Sequence, residues 1–140
     1  MTLGALGILV LPGTTRAVAV ARQWVGLVLE ADGWKSTDDA VLAASELTAN
    51  AVRHTYSGTS GGRVTIALLG MAGDQVRIDV IDEGGPLVPR IMEATSGALS
   101  GRGLRLVAEL STAWGSNALA AGRCVWALLP MNHDQVDEWQ

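Results

Sequence analysis

Between residues 76 and 81, Val76, Ile78 and Val80 alternate with Arg77, Asp79 and Ile81. A period of two puts an apolar row and a mixed row on opposite faces of a strand, so the sheet this segment joins has a dry face that other elements must cover. The β-type run over residues 63–69 and the intervening Gly70-Met71-Ala72-Gly73-Asp74 make the segment one arm of a hairpin. A second hairpin is expected over residues 113–129, and a first strand over residues 8–11, stopped by Pro12-Gly13.

The cover is also legible. Thr14-Thr15 can cap a helix running to about Ala31, with Val18, Ala21, Val25, Val28 and Leu29 on one face. Asp32-Gly33 ends it, and Ser36-Thr37-Asp38 offers a cap for an Ala-rich helix to about His54. Leu104, Val107, Ala108 and Ser111 are spaced for a short third helix. The order β-α-α-β-β-loop-α-β-β predicts an α+β fold, a two-layer α/β sandwich with a mixed, mostly antiparallel sheet and helices on one face. Residues 1–131 are expected to form one domain and residues 132–140 a polar C-terminal tail.

Composition removes several function classes. A domain of 140 residues buries about two-thirds of the surface its unfolded chain exposes, so it folds without staples. Cys124 is the only cysteine and there are two histidines, which excludes an intrachain disulfide and a Cys/His zinc site and makes a cytoplasmic setting the expectation. The net charge is -4, with nine arginines and one lysine, which argues against a general nucleic-acid-binding surface. Trp34 precedes Lys35, so there is no GxxxxGK[ST] phosphate loop. No apolar run is long enough to span a membrane. Residues 5–11 could pass for a short signal core, but no basic residue precedes them and Pro12-Gly13 breaks them, so they read as a buried strand.

Three features carry chemistry. Glu46 and Asn50 stand one turn apart on the second helix, with Arg53 and His54 continuing the stripe. They are either a solvated face or a carboxylate and an amide aimed at a ligand. Asp82-Glu83-Gly84-Gly85-Pro86 follows an apolar strand and is either an ordinary turn or an acceptor for an exocyclic amine, beside glycines that admit close approach. Gly101-Arg102-Gly103-Leu104 reads as a glycine-rich loop opening a helix, whose free N–H groups suit phosphate oxygens. It is not the dinucleotide fingerprint, because Leu106 stands where the third glycine belongs.

Together, in this order and spacing, the three segments resemble the N, G1 and G2 boxes of the Bergerat-type ATP-binding fold shared by histidine kinases, gyrase-type ATPases and Hsp90-like chaperones. The resemblance covers about residues 8–129. Within that superfamily the chain is similar to the small stand-alone anti-sigma factor serine/threonine kinases, through Leu11-Pro12-Gly13, Asn50-Ala51-Val52-Arg53-His54, Gly84-Gly85-Pro86, Trp114-Gly115 and Gly122-Arg123-Cys124-Val125-Trp126.

The resemblance implies that Asn50 supplies an oxygen to Mg²⁺ on the ATP phosphates and that Glu46 is the general base. It implies that Asp82 accepts from the adenine amine, that Gly84 lets the backbone approach the base, and that Gly101, Arg102, Gly103 and Leu104 hold phosphates beneath a lid at residues 87–100. Pro86 and Cys124 depart from the pattern, the latter standing where many relatives have a Thr that supports the adenine contact. His54 ends the N-box helix, and a phospho-accepting role would require a separate helix pair. The tail residue His133 is expected to be idle.

The function implied is an anti-sigma factor kinase that phosphorylates an antagonist protein with Mg·ATP, binds a sigma factor or that antagonist, and forms a homodimer using residues 3–11 as an added strand. The alternatives are an ATP-responsive binding module without kinase activity, and an ATPase or phosphotransfer fragment acting with a partner.

Overall fold

The alternation at residues 76–81 sits at the centre of the observed sheet. The computed structural model describes residues 3–85 and 99–133, and only the backbone of residues 99–102. Within these residues, β1 (Gly4–Pro12), β3 (Arg63–Met71), β4 (Gln75–Asp82), β5 (Ala113–Leu119) and β6 (Gly122–Pro130) form a five-stranded sheet in the order β1-β3-β4-β6-β5. Each of its ladders is antiparallel. Three helices, α1 (Thr15–Ala31), α2 (Asp38–His54) and α3 (Leu99–Leu110), complete the α+β sandwich. None of the described helices is long and apolar enough to cross a membrane.

The core follows from the two periodicities. Val64, Ile66 and Leu68 of β3, Val76, Ile78 and Val80 of β4, and Val125, Ala127 and Leu129 of β6 are buried. Against them lie Ala17, Ala21, Val25 and Leu29 of α1, Ala40, Ala43, Ala44, Leu47 and Ala51 of α2, and Leu104 and Val107 of α3. The alanines suit this layer because they favour the helix while letting its backbone approach its neighbours closely. Asp38 and Asp39 in the first turn of α2 and Arg53 and His54 in its last turn match its dipole.

Three local expectations need correction. The first strand begins at Gly4 rather than at residue 8, and it is a half-exposed edge strand rather than a buried one, with Ile8 and Val10 turned outward. The third helix begins at Leu99, so residues 101–104 lie inside it instead of in a loop before it. The supposed tail starts with structure: Asn132–His133 (β7) pairs with Trp34–Lys35 (β2) in a small separate ladder. His133 is not idle. Its ring packs edge-on against Trp34 with centroids 4.9 Å apart, and its Nε2 bonds the backbone oxygen of Asp32.

The turn after α2 joins the layers. Ser57 is buried, and a side chain on Gly13 would place its Cβ 1.6 Å from the Ser57 carbonyl oxygen. A Cβ on Gly62 would lie 2.1 Å from the same oxygen, and one on Gly58 would lie 2.0 Å from the carbonyl oxygen of Val52. Only glycine permits backbones this close. We expect Gly13→Ala to cost about 3 kcal/mol, the upper end for overpacking, because no flexible side chain can give way. Gly73→Ala, which has open space but a φ of +79°, should cost only about 1–2 kcal/mol. Denaturant melts of the two variants check this; equal losses would contradict the close-packed turn.

Candidate functional site

Helix α2 presents Glu46, Asn50 and His54 along one stripe, each half-buried, while Arg53 turns to solvent. Helix α3 crosses this stripe at Gly103, where a Cβ would lie 2.6 Å from Glu46 Oε2. The glycine therefore lets α3 lie against the Glu46 carboxylate. Two atoms on the stripe, Asn50 Nδ2 and His54 Nε2, are buried without a hydrogen-bond partner, as is Thr48 Oγ1 on a neighbouring face of α2. Each such group costs about 1–3 kcal/mol when left unpaired, so two on one stripe mark a place built for something other than stability.

Asp82 closes β4 and is only 4% exposed. Its Oδ1 accepts the Gly84 N–H at 2.7 Å, a turn that needs the φ of +78° which glycine adopts at Gly84. That bond uses one of about four acceptor sites on a carboxylate. Burial pushes the Asp82 carboxyl up from its ordinary value of 3.8, while the Gly84 N–H and the Arg123 charge pull it back.

The loop after Asp82 is strapped to the end of α2. Tyr56 N–H donates to the Gly84 carbonyl at 2.7 Å, Glu83 N–H to Ser57 Oγ at 2.9 Å, and Arg63 N–H to Glu83 Oε1 at 3.0 Å. A Cβ on Gly85 would lie 3.0 Å from the His54 carbonyl oxygen. Asp82 and the Asn50–His54 turn of α2 are thereby held as neighbours. Glu83 is structural, a role no spacing in the sequence revealed.

The third segment divides. Gly101 lies in the first turn of α3, where N–H groups have no partner within the helix. Gly103 and Leu104 come after that turn; Gly103 is buried against Glu46, and Leu104 is 5% exposed and packed in the core. Donors for an anion are therefore those at the start of α3. The Arg102 side chain, Pro86 and residues 87–98 of the expected lid lie outside the described residues, and of the lid's last two residues, 99–100, only the helical backbone is described.

Cys124 does not belong to this site. In the β4–β6 ladder it stands opposite Ile81, whereas Arg123 stands opposite Asp82. Alternation puts Cys124 on the far face of the sheet, where Arg77 pairs with Asp79 at 2.7 Å and lies 4.8 Å from the centre of the Trp126 ring. Burial first, then Asp79, pushes the Cys124 thiol up, against the pull of Arg77. Counting back in twos from Leu129, which the structure shows to be buried, reaches Arg123 and puts it on the helix-facing side.

A groove of about 620 Å³ between residues 10–14 and 58–63 includes none of these residues. Among the described residues there is also no group of three or more His, Cys, Asp or Glu able to cage a metal. An ion at Asn50 would thus share one side-chain oxygen with a ligand's own oxygens, the arrangement magnesium favours with phosphates. Asn50 Oδ1 is the atom that fits that use, and the unpartnered Nδ2 beside it is a donor that suits a phosphate oxygen.

The model of the histidine kinase-like ATPase domain family matches residues 11–128. Seven solved chains match, among them the crystal structure of the RsbU and RsbW domains of Rv1364c from Mycobacterium tuberculosis, with a TM-score of 0.65 and 22% identity. The alignment covers 89% of this chain and 32% of that one, so this chain spans about a third of its length. At that identity the likeness concerns the fold. No curated protein sequence matches significantly.

Because the folded state raises the Asp82 pKa, the ionised carboxylate opposes folding. Its cost is absent below pH 3.8, grows as pH rises through the raised folded value, and is fully present at neutral pH. We expect Asp82→Asn, which keeps an acceptor for Gly84, to melt at a higher temperature than wild type at pH 7, with the gap closing as pH falls toward 4. Melting curves across that range check it; a variant less stable at pH 7 would contradict the desolvation account.

Proposed function

The chain belongs to the histidine kinase-like ATPase domain family, and on that footing we propose that it is an ATP-binding protein regulator acting as an anti-sigma factor serine/threonine kinase. The observation that carries the proposal is Asn50 Nδ2, a donor buried without a hydrogen-bond partner one turn from Glu46, on the helix strapped to the loop after Asp82. The N, G1 and G2 motifs and the fold shared with a chain containing an RsbW domain support the same reading.

Asp82 accepts a hydrogen bond from the adenine amine, and the left-handed turn at Gly84 lets the backbone pass beside the base. The N-terminal turn of α3 with Gly101, together with Arg102, takes phosphate oxygens; Gly103 and Leu104 keep α3 seated on Glu46 and the core. Asn50 Oδ1 would hold magnesium, which would supply positive charge where negative charge gathers during transfer. Glu46 lies beside the start of α3 and accepts the proton of the attacking serine or threonine hydroxyl, as its oxygen bonds the γ-phosphorus and ADP departs. The protein substrate is an antagonist of the sigma factor that the kinase otherwise sequesters.

A homodimer completes the proposal. Strand β1 is an edge of the sheet, and Leu3, Ile8 and Val10 on this segment are 62%, 66% and 53% exposed, an apolar edge that pairing with a second copy would cover. Sedimentation across concentrations should show a dimer that Val10→Lys weakens. A monomer at high micromolar concentration would remove the dimer and leave the nucleotide site untouched.

Glu46 and Asn50 share a helix face yet should fail differently. Asn50→Ala removes a metal ligand and should weaken Mg·ATP binding itself. Glu46→Ala should keep ATP affinity within a few-fold while lowering phosphoryl transfer by roughly 10²–10⁴, the range for a positioned general base. Calorimetry and transfer of labelled phosphate to candidate antagonist proteins read the two effects. Transfer by Glu46→Ala at the wild-type rate, or none by wild type to any partner, would make the protein an ATP-gated binding module.

A further inference from the structure

Arg123 is placed where the base of a nucleotide would be read. It stands opposite Asp82 in the β4–β6 ladder, so both side chains leave the same, helix-facing side of the sheet. The two strands close tightly there: a Cβ on Gly122 would lie 2.0 Å from the Asp82 carbonyl oxygen, and one on Gly84 would lie 3.6 Å from Gly122 Cα. Arg123 is half-buried, its backbone fixed by this junction, and its charge acts on the Asp82 carboxylate. A ligand entering against the end of β4 therefore meets an acceptor-only carboxylate next to a donor-only guanidinium.

An adenine edge carries the complement of that pair, an exocyclic amine that donates and, beside it, the ring nitrogen N1 that accepts. We propose that Arg123 is a base-reading residue, its guanidinium donating to adenine N1 while Asp82 accepts from the amine. The inference rests on the ATP-binding reading above and adds to it the group that recognises N1. A guanidinium suits this because it stays charged and its fork can contact the carboxylate and the base together.

The test is a cycle between protein and ligand. Affinities of the full chain for Mg·ATP and for Mg·1-deaza-ATP, in which a C–H replaces N1, are measured for wild type and Arg123→Met. Wild type should prefer ATP by roughly tenfold to a hundredfold, the usual worth of a hydrogen bond to a charged group. Arg123→Met should bind both alike. Arg123→Lys, which keeps the charge at lower geometric precision, should recover part of the preference and supplies a folded comparison if the methionine variant is unstable. If wild type shows no preference between the two nucleotides, or if Arg123→Met weakens both equally and keeps the wild-type preference, Arg123 does not read N1 and the inference fails. If wild type binds neither nucleotide, the ATP-binding reading fails first.

Discussion

The junction between the turn after α2 and the loop after β4 sets the geometry of everything else. Tyr56 N–H on the Gly84 carbonyl and Glu83 N–H on Ser57 Oγ tie the C-terminal end of α2 to the end of the central strand. Glycines at 13, 58 and 62 let the neighbouring backbones close around the same turn. The Tyr56–Gly84 bond joins two backbones and leaves no rotamer freedom to take up error, and the Ser57 acceptor is held by burial. Glu46 and Asn50 are therefore held in one place relative to Asp82, although α2 and β4 are joined through β3 and two turns.

The site is maintained against the preferences of the fold around it. Asp82 is ionisable in a place that penalises its charge, and Asn50 and His54 bury polar atoms with no partner. An apolar residue at each position would satisfy the core better, and the rest of α2 shows what that looks like, with Ala40, Ala43, Ala44, Leu47 and Ala51 buried against the sheet. Such local cost is borne by the many small gains of that apolar layer, whose burial is the main stabilising term. The far face of the sheet follows the opposite logic: Arg77, Asp79 and Trp126 answer one another by charge and ring contact, leaving nothing there that asks for a ligand.

Family membership and site geometry bear on different levels. The family match shows the ATPase-type domain. The register of β4 against β6 belongs to the site geometry: it puts Arg123, and not Cys124, beside Asp82 on the helix-facing side of the sheet. One strand position decides whether a weak neutral group or a permanent cation stands beside the Asp82 carboxylate.

Both hairpins and the first two helices were legible, because alternation at 76–81, the apolar helix faces and the stop at 32–33 are local signals, and Thr14 and Thr37 stand at the helix starts although neither side chain makes a cap hydrogen bond. The boxes were legible as residue types at fixed spacing. What stayed hidden depends on distant segments. Two-residue strands such as Trp34–Lys35 carry no period and exist because Asn132–His133 reaches them. The glycines at 101 and 103 read as a loop opening a helix, yet α3 runs through both, and the seat against Glu46 needs the missing side chain of Gly103. Period two says that neighbouring residues face opposite ways without saying which way is in, so the faces of Cys124 and Arg123 waited on the register with β4. The sequence by itself determined the elements and the chemical inventory; the tertiary structure decided which groups meet, because contact across the sheet is set by register and packing and not by distance along the chain.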